Sequence, residues 1–270
     1  METKLKDINI LKNARQLGGY VTADGRKIRQ NVLLRTAQLA DATAEEIAIL
    51  RDKYQVKDII DFRSEKECTL NPDPKIEGAS YHWIDVMEQS GMIKNWRNKD
   101  LENKTKEEME KQILESAKSE SIFFYYKQLL TSEGGQNGYR EFFQILLDNR
   151  EGAIVWHCTQ GKDRTGIAAV LLLSALGVER NTIIEDYEQT NAFFDEQIKE
   201  AVEKVKEKNG ACPDEMLQKL QLLIGVSRDT MERVLNLIDD TYGSMELYLQ
   251  NQMNLTRSDM ETLKQRYLET

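Results

Sequence analysis

An α/β fold, with a central, mainly parallel sheet flanked by helices, is what this sequence predicts, and three observations predict it. Short apolar runs such as "VKDIIDF" (56–62) and "GAIVWHC" (152–158) have the form of strands buried on both faces. Amphipathic stretches separate these runs, as right-handed crossovers between parallel strands require. The 270 residues, 40% apolar and 31% charged, can bury a sizeable core. With no internal repeat and no low-complexity tract, residues 1–270 are expected to form a single domain carrying helical insertions and a helical C-terminal part.

The elements follow in order. "NVLLRT" (31–36) is a short strand. "DATAEEIAILRDKY" (41–54) places Thr43 and Glu46 at capping-box spacing and continues as an amphipathic helix. "VKDIIDF" is the next strand, "NPDP" (71–74) breaks the chain, and "SYHWIDVM" (80–87) is another strand. Residues 95–120 are highly charged and helix-prone, either a solvated surface helix or a lid over a site. "SIFFYYKQLLTS" (121–132) and "NGYREFFQILLDN" (137–149) are expected as two amphipathic helices separated by a turn at "EGGQNG" (133–138). "GAIVWHC" is a strand, and "RTGIAAVLLLSALG" (164–177) a helix closed by Gly177. Everything beyond residue 180 is helical in pattern, with 193–209 charged, exposed and a second candidate lid.

Bulk properties narrow the function. A net charge of −9 argues against a nucleic-acid or anionic-membrane binder. An anionic small substrate stays open, because a local cationic pocket fits within an acidic protein. Three unclustered cysteines, Cys68, Cys158 and Cys212, make neither a disulfide framework nor a zinc site, and a reducing, cytoplasmic compartment is the simpler expectation. With His82 and His157 as the only histidines, a His-rich metal centre is not expected, and no metal or cofactor is implied. No apolar run approaches the roughly 18 to 20 residues of a membrane span, so no stable membrane insertion is expected. "METKLKDINILKN" lacks the features of a secretory signal, leaving secretion open only if a leader was removed.

The chemistry concentrates in "VWHCTQGKDRTG" (155–166), a strand, a loop and a helix start. A loop feeding a helix N-terminus turns backbone N–H groups inward and gains partial positive charge, which favours both a bound oxyanion and a thiolate. Cys158 is the candidate nucleophile. Arg164, six residues beyond it, can face the sulfur across a bound group, its planar fork suiting two phosphate oxygens. Thr159, Gln160, Gly161 and Lys162 form the cradle for the phosphate together with Arg164. Thr165 places a hydroxyl beside the sulfur, able to stabilise it as a leaving group, and His157 fixes the loop by hydrogen bonds. Cys-x5-Arg alone occurs by chance; His, Cys, Gly, Arg, Thr and Gly in this order after a strand are far more specific.

"HCTQGKDRTG" resembles the phosphate-binding loop of cysteine-dependent protein tyrosine phosphatases, and more narrowly that of the bacterial tyrosine/dual-specificity family carrying HCxxGKDRTG. "NARQLGGYVTADGRKI" (13–28) resembles that family's NFRDLGGY-type segment, "LLRTAQL" its RS-containing strand end, and "DFRSEKE" its DLRS-x-x-E. "DYEQTN" (186–191) and "YGSMELYL" (242–249) resemble two further signatures. Ala14, Gln16 and Thr36 depart from the usual Phe, Asp and Ser. The resemblance implies a tyrosine-phosphatase-like fold and a two-step reaction. Cys158 attacks phosphorus while an acid protonates the leaving oxygen, and water then hydrolyses the phosphocysteine to inorganic phosphate. Asp163 is the first candidate acid, followed by Glu88 and Asp85 after the "YHWI" strand. Asp61 also remains a candidate, with orienting Arg63 or capping the loop as its other role. Lys162 either accommodates a polyphosphorylated ring, as in phosphoinositide phosphatases, or pairs with Asp163. The implied substrates are phosphotyrosyl proteins, with phosphoserine and phosphothreonine open, and phosphoinositides as the alternative. A non-catalytic phosphate-binding module and a rhodanese-like sulfurtransferase are the competing classes.

Overall fold

The computed structural model of the chain describes residues 3–87 and 119–270. A five-stranded sheet runs in the order β1-β2-β5-β3-β4, built from β1 (Arg15–Gln16), β2 (Leu33–Thr36), β3 (Val56–Asp61), β4 (Ser80–Trp83) and β5 (Ala153–His157). All neighbours pair in parallel except β1, a short antiparallel edge strand absent from the expected list. Register sets Thr36, His157 and Asp61 level with one another at the C-terminal edge of the three central strands. In open α/β sheets that edge is where loops gather to form a site.

Alternation along the strands divides the core. Ile154 and Trp156 of β5, Ile60 of β3 and Leu33 of β2 join the larger apolar cluster on one face. Ala153, Val155, Ile59 and Leu34 join the smaller one on the other. Val56 shares a face with Ile59 despite the odd spacing, because a register shift between Val56 and Asp58 resets the pleat.

Two helices border the first strands: α1 (Ala44–Asp52) and α2 (Glu65–Leu70). The expected capping box is present on α1: Thr43 Oγ1 accepts from Glu46 N at 3.1 Å, and Glu46 Oε2 accepts from Thr43 N at 3.0 Å. Next come α3 (Ser119–Thr131) and α4 (Glu133–Asp148). The turn expected at "EGGQNG" does not exist, and all six residues are helical within α4. Its glycines serve close approach instead. A Cβ on Gly135 would stand 2.1 Å from the Leu129 carbonyl oxygen, and one on Gly138 would stand 2.7 Å from Val86 Cγ1. Ser132 alone separates the two helices, capping α4 by accepting from Gly135 N at 3.1 Å.

Helix α5 (Arg164–Leu176) is almost entirely buried and ends at Gly177 in the left-handed conformation. The C-terminal part is helical: α6 (Arg180–Glu188), α7 (Thr190–Asn209), α8 (Asp214–Ile224), α9 (Arg228–Tyr242), α10 (Met245–Asn251) and α11 (Arg257–Tyr267). Residues 193–209 lie in α7, against which α8 packs. The other candidate lid, 95–120, falls almost wholly outside the described residues. Among the described residues, no helix is long and apolar enough to cross a membrane.

Candidate active site

The loop 158–163 joins β5 to α5 at the C-terminal edge of the sheet. Gly161 has φ of +65°, and a Cβ there would meet the Thr36 carbonyl oxygen at 2.2 Å, so only glycine fits. Three consecutive carbonyls are bound from behind. Gln38 N donates to Thr159 O at 3.2 Å, and Asn13 Nδ2 to Gln160 O at 3.2 Å and Gly161 O at 2.8 Å. Arg35 Nη2 adds a second bond to Gly161 O at 3.0 Å. In a planar trans peptide, N–H points opposite to C=O. Binding these carbonyls therefore turns the N–H groups of Gln160, Gly161 and Lys162 to the other side.

Cys158 follows the buried end of β5 and is 2% exposed. Arg164, also buried, opens α5. Its Nη1 donates to Phe62 O at 3.1 Å and Glu67 Oε2 at 2.8 Å, and its Nη2 to Glu67 Oε1 at 2.9 Å and Thr159 Oγ1 at 3.3 Å. Nε is buried and has no partner among the described residues. Glu67 thus holds the end of the guanidinium and leaves the Nε side for an oxyanion. Burial pushes the Glu67 carboxyl up, but the Arg164 hydrogen bonds and charge outweigh it and hold it well below the usual carboxylate range. The carboxylate is fixed in turn by Ser64, whose N donates to Oε2 at 2.9 Å, and by Thr159, whose hydroxyl donates to Oε1 at 2.6 Å. The sequence reading missed Glu67. Its signal was the Ser64-x-x-Glu67 capping box within "DFRSEKE".

The other candidate acids differ in what they can do. Asp61 is fully buried, and Arg63 clasps it through Nε at 2.9 and 3.0 Å and Nη2 at 2.7 Å. Tyr81 OH donates to it at 2.7 Å. Burial raises the Asp61 carboxyl, but the His157 ring and Arg63 outweigh that and hold it well below the usual range. A carboxylate kept ionised has no proton to give, and this one is taken up by the Arg63 guanidinium. Arg63 also reaches Asn71 O at 2.7 Å and Asp73 Oδ1 at 2.9 Å, tying the chain after α2 to the site. His157 is buried beside the same carboxylates, 2.9 Å from Asp73 Oδ2 and 3.7 Å from Asp61 Oδ1. Asp61, Asp73 and His157 are close enough to hold a metal ion, yet the Arg63 guanidinium already supplies the positive charge there. Asp85 is half-buried and accepts from Met87 N at 2.9 Å. Glu88 lies outside the described residues.

Asp163 is the N-terminal flanking residue of α5 but makes no capping bond. Its Oδ1 accepts the Tyr126 hydroxyl at 2.6 Å. Lys162 Nζ stands 3.9 Å from Asp163 Oδ2, and donates at 2.6 Å to Leu223 O and 3.2 Å to Gly225 O at the end of α8. In this arrangement its ammonium is directed to the helical C-terminal part, not into the loop, because the last carbonyls of α8 lack intrahelical donors. Thr165 is buried and its hydroxyl has no partner among the described residues, leaving it available to a neighbouring group.

The "DYEQTN" segment supports the loop from behind. Asp186 pairs with Arg35 at 3.0 Å and Arg15 at 3.4 Å, and Arg35 holds Gly161. Tyr187 OH lies 2.6 Å from Tyr126 OH, which holds Asp163. Asn191 brackets Val226 by two hydrogen bonds, beside the Gly225 carbonyl that holds Lys162. One segment reaches three loop residues: 161 and 163 through one intermediary each, and 162 through the neighbouring pair Gly225 and Val226.

A family model described as "Tyrosine phosphatase family" matches residues 6–269. The chain is 30% identical over 265 residues to a "Putative tyrosine-protein phosphatase" of Cupriavidus necator, covering 96% of this chain and 86% of that one. It is 25% identical over 257 residues to the "Triple specificity protein phosphatase PtpB" of Mycobacterium tuberculosis, covering 88% and 90%. Among solved structures, the core catalytic domain of the PP-IP phosphatase SIW14 from S. cerevisiae aligns over 86% of this chain and 96% of its own, at 11% identity and a TM-score of 0.37.

Proposed function

Since the chain belongs to the tyrosine phosphatase family, it is a cysteine-dependent phosphatase, and we propose how its residues divide the work. Cys158 attacks phosphorus in line and forms phosphocysteine. The N–H groups of the loop and the Nε side of Arg164 receive the equatorial oxygens, whose charge they stabilise in the transition state. Asp163 gives its proton to the leaving oxygen. Water then attacks phosphocysteine, Asp163 takes up its proton, and the free Thr165 hydroxyl donates to the departing sulfur. Phosphate is released. The observation that carries this reading is the buried Arg164, held end-on by Glu67 with Nε left over, six residues after a buried cysteine. The loop's carbonyls, bound from behind, support it.

Phosphotyrosyl protein is the proposed substrate, with phosphoserine and phosphothreonine allowed, in keeping with the name of the mycobacterial relative. The phosphoinositide alternative asks for extra positive charge facing the ring. Lys162 supplies that charge only if its ammonium leaves the Leu223 and Gly225 carbonyls. The expected result is hydrolysis of p-nitrophenyl phosphate and of phosphotyrosyl peptides in the presence of EDTA, with phosphoinositides in short-chain form turned over more slowly. Activity that vanishes with the chelator would contradict the mechanism, and a preference for phosphoinositides would reverse the substrate assignment.

A further inference from the structure

Asp163 lies at the end of a hydrogen-bonded chain that starts in the core. Tyr126 on α3 donates to its Oδ1 at 2.6 Å, and the Tyr126 and Tyr187 oxygens are 2.6 Å apart. A phenol has one proton to donate. Tyr126 gives its proton's hydrogen bond to Asp163, so Tyr187 must be the donor between the two phenols, and the chain runs Tyr187 to Tyr126 to Asp163. Both phenols are 1% exposed, whereas the Asp163 side chain is 28% exposed. Burial, and then the Asp163 charge, push both phenols well above their ordinary range, so both stay protonated donors. The two rings meet edge to face with centroids 6.3 Å apart, which fixes the oxygens relative to each other.

We propose that Tyr126, polarised by Tyr187, is a positioning residue for Asp163: it locks the carboxyl rotamer, reserves Oδ2 as the oxygen that carries the proton, and stabilises the carboxylate left when that proton departs. The inference rests on Asp163 being the acid. It explains how a carboxyl in the phosphate loop performs acid catalysis. The same bond serves the second step, in which the carboxylate must take a proton back. The other charged group facing Asp163 among the described residues is Lys162, at 3.9 Å from Oδ2. Behind it, Arg35 acts on Tyr187. Neither cation is changed in the test, so a shift reports the phenols.

The test is the pH profile of kcat/KM on phosphotyrosine for the wild type, Tyr126→Phe, Tyr187→Phe and Asp163→Asn. A hydrogen bond given to a charged form favours that form, so losing it makes the carboxyl keep its proton to higher pH. Tyr126→Phe is expected to move the basic limb up by about one pH unit and to lower kcat more than it alters KM. Tyr187→Phe, which leaves Tyr126 donating, is expected to move it the same way by less, and carries the test should Tyr126→Phe fail to fold. Asp163→Asn is expected to abolish the basic limb. If both Phe variants superimpose on the wild type while Asp163→Asn loses the limb, the positioning inference fails and the acid assignment stands. If Asp163→Asn keeps the limb, the acid assignment itself fails and takes the inference with it.

Discussion

Cys158→Ser is expected to lower kcat on p-nitrophenyl phosphate by at least about 10⁴-fold while leaving inorganic phosphate binding measurable by calorimetry. A serine hydroxyl is a weak nucleophile at its free pKa, and no histidine among the described residues is placed to activate it. The nearest imidazole, His157, is turned to Asp73 and Asp61 and serves no base. The oxyanion cradle does not depend on the sulfur. Its carbonyls are held by Asn13, Arg35 and Gln38, and its guanidinium by Glu67. Binding and turnover should therefore separate in this variant. Loss of both together would mean that the sulfur holds the loop in shape; retained turnover would mean that another group attacks phosphorus.

Arg164→Lys is the second large effect, with kcat/KM expected to fall by roughly 10² to 10³-fold, the size associated with removing one preorganised transition-state donor. A lysine brings charge but no planar fork, so it cannot bind Glu67 through two donors and an oxyanion through a third. Glu67→Gln isolates the positioning part. The amide keeps the shape of the side chain but loses the charge that holds Arg164, and a fall of about 10- to 100-fold is expected from misorientation alone. Glu67 also caps α2, so thermal unfolding should accompany the kinetics. A Glu67→Gln enzyme that is fully active and folded would contradict the assignment of Glu67 as the residue orienting the guanidinium.

How much of this was legible in the sequence depended on the range of the contacts. The strand, loop and helix around Cys158 are local, and periodicity with Gly161 and Gly177 was enough to place them. Thr43 and Glu46 are three residues apart, so their capping box could be read directly. Glu67 and Arg164 lie 97 residues apart, and no spacing rule links a capping glutamate to a distant guanidinium. The destination of Lys162 was hidden for the same reason: its carbonyl partners are 61 and 63 residues further on. The glycines of "EGGQNG" misled in a different way. Local propensity marked a turn, while tertiary packing used the missing side chains to bring α4 against Leu129 and Val86. The "DYEQTN" segment carries only a likeness in the sequence; its three routes to the loop appear only when the chain is folded.

The most direct measurement of the central claim is rapid acid quenching of the wild-type enzyme during turnover of p-nitrophenyl phosphate, followed by peptide mass spectrometry. With so good a leaving group, sulfur phosphorylation should outrun hydrolysis, and phosphate is expected on the peptide bearing Cys158 together with a burst of nitrophenolate. Phosphate found on a different residue, or steady turnover with no burst and no covalent adduct, would contradict attack by Cys158.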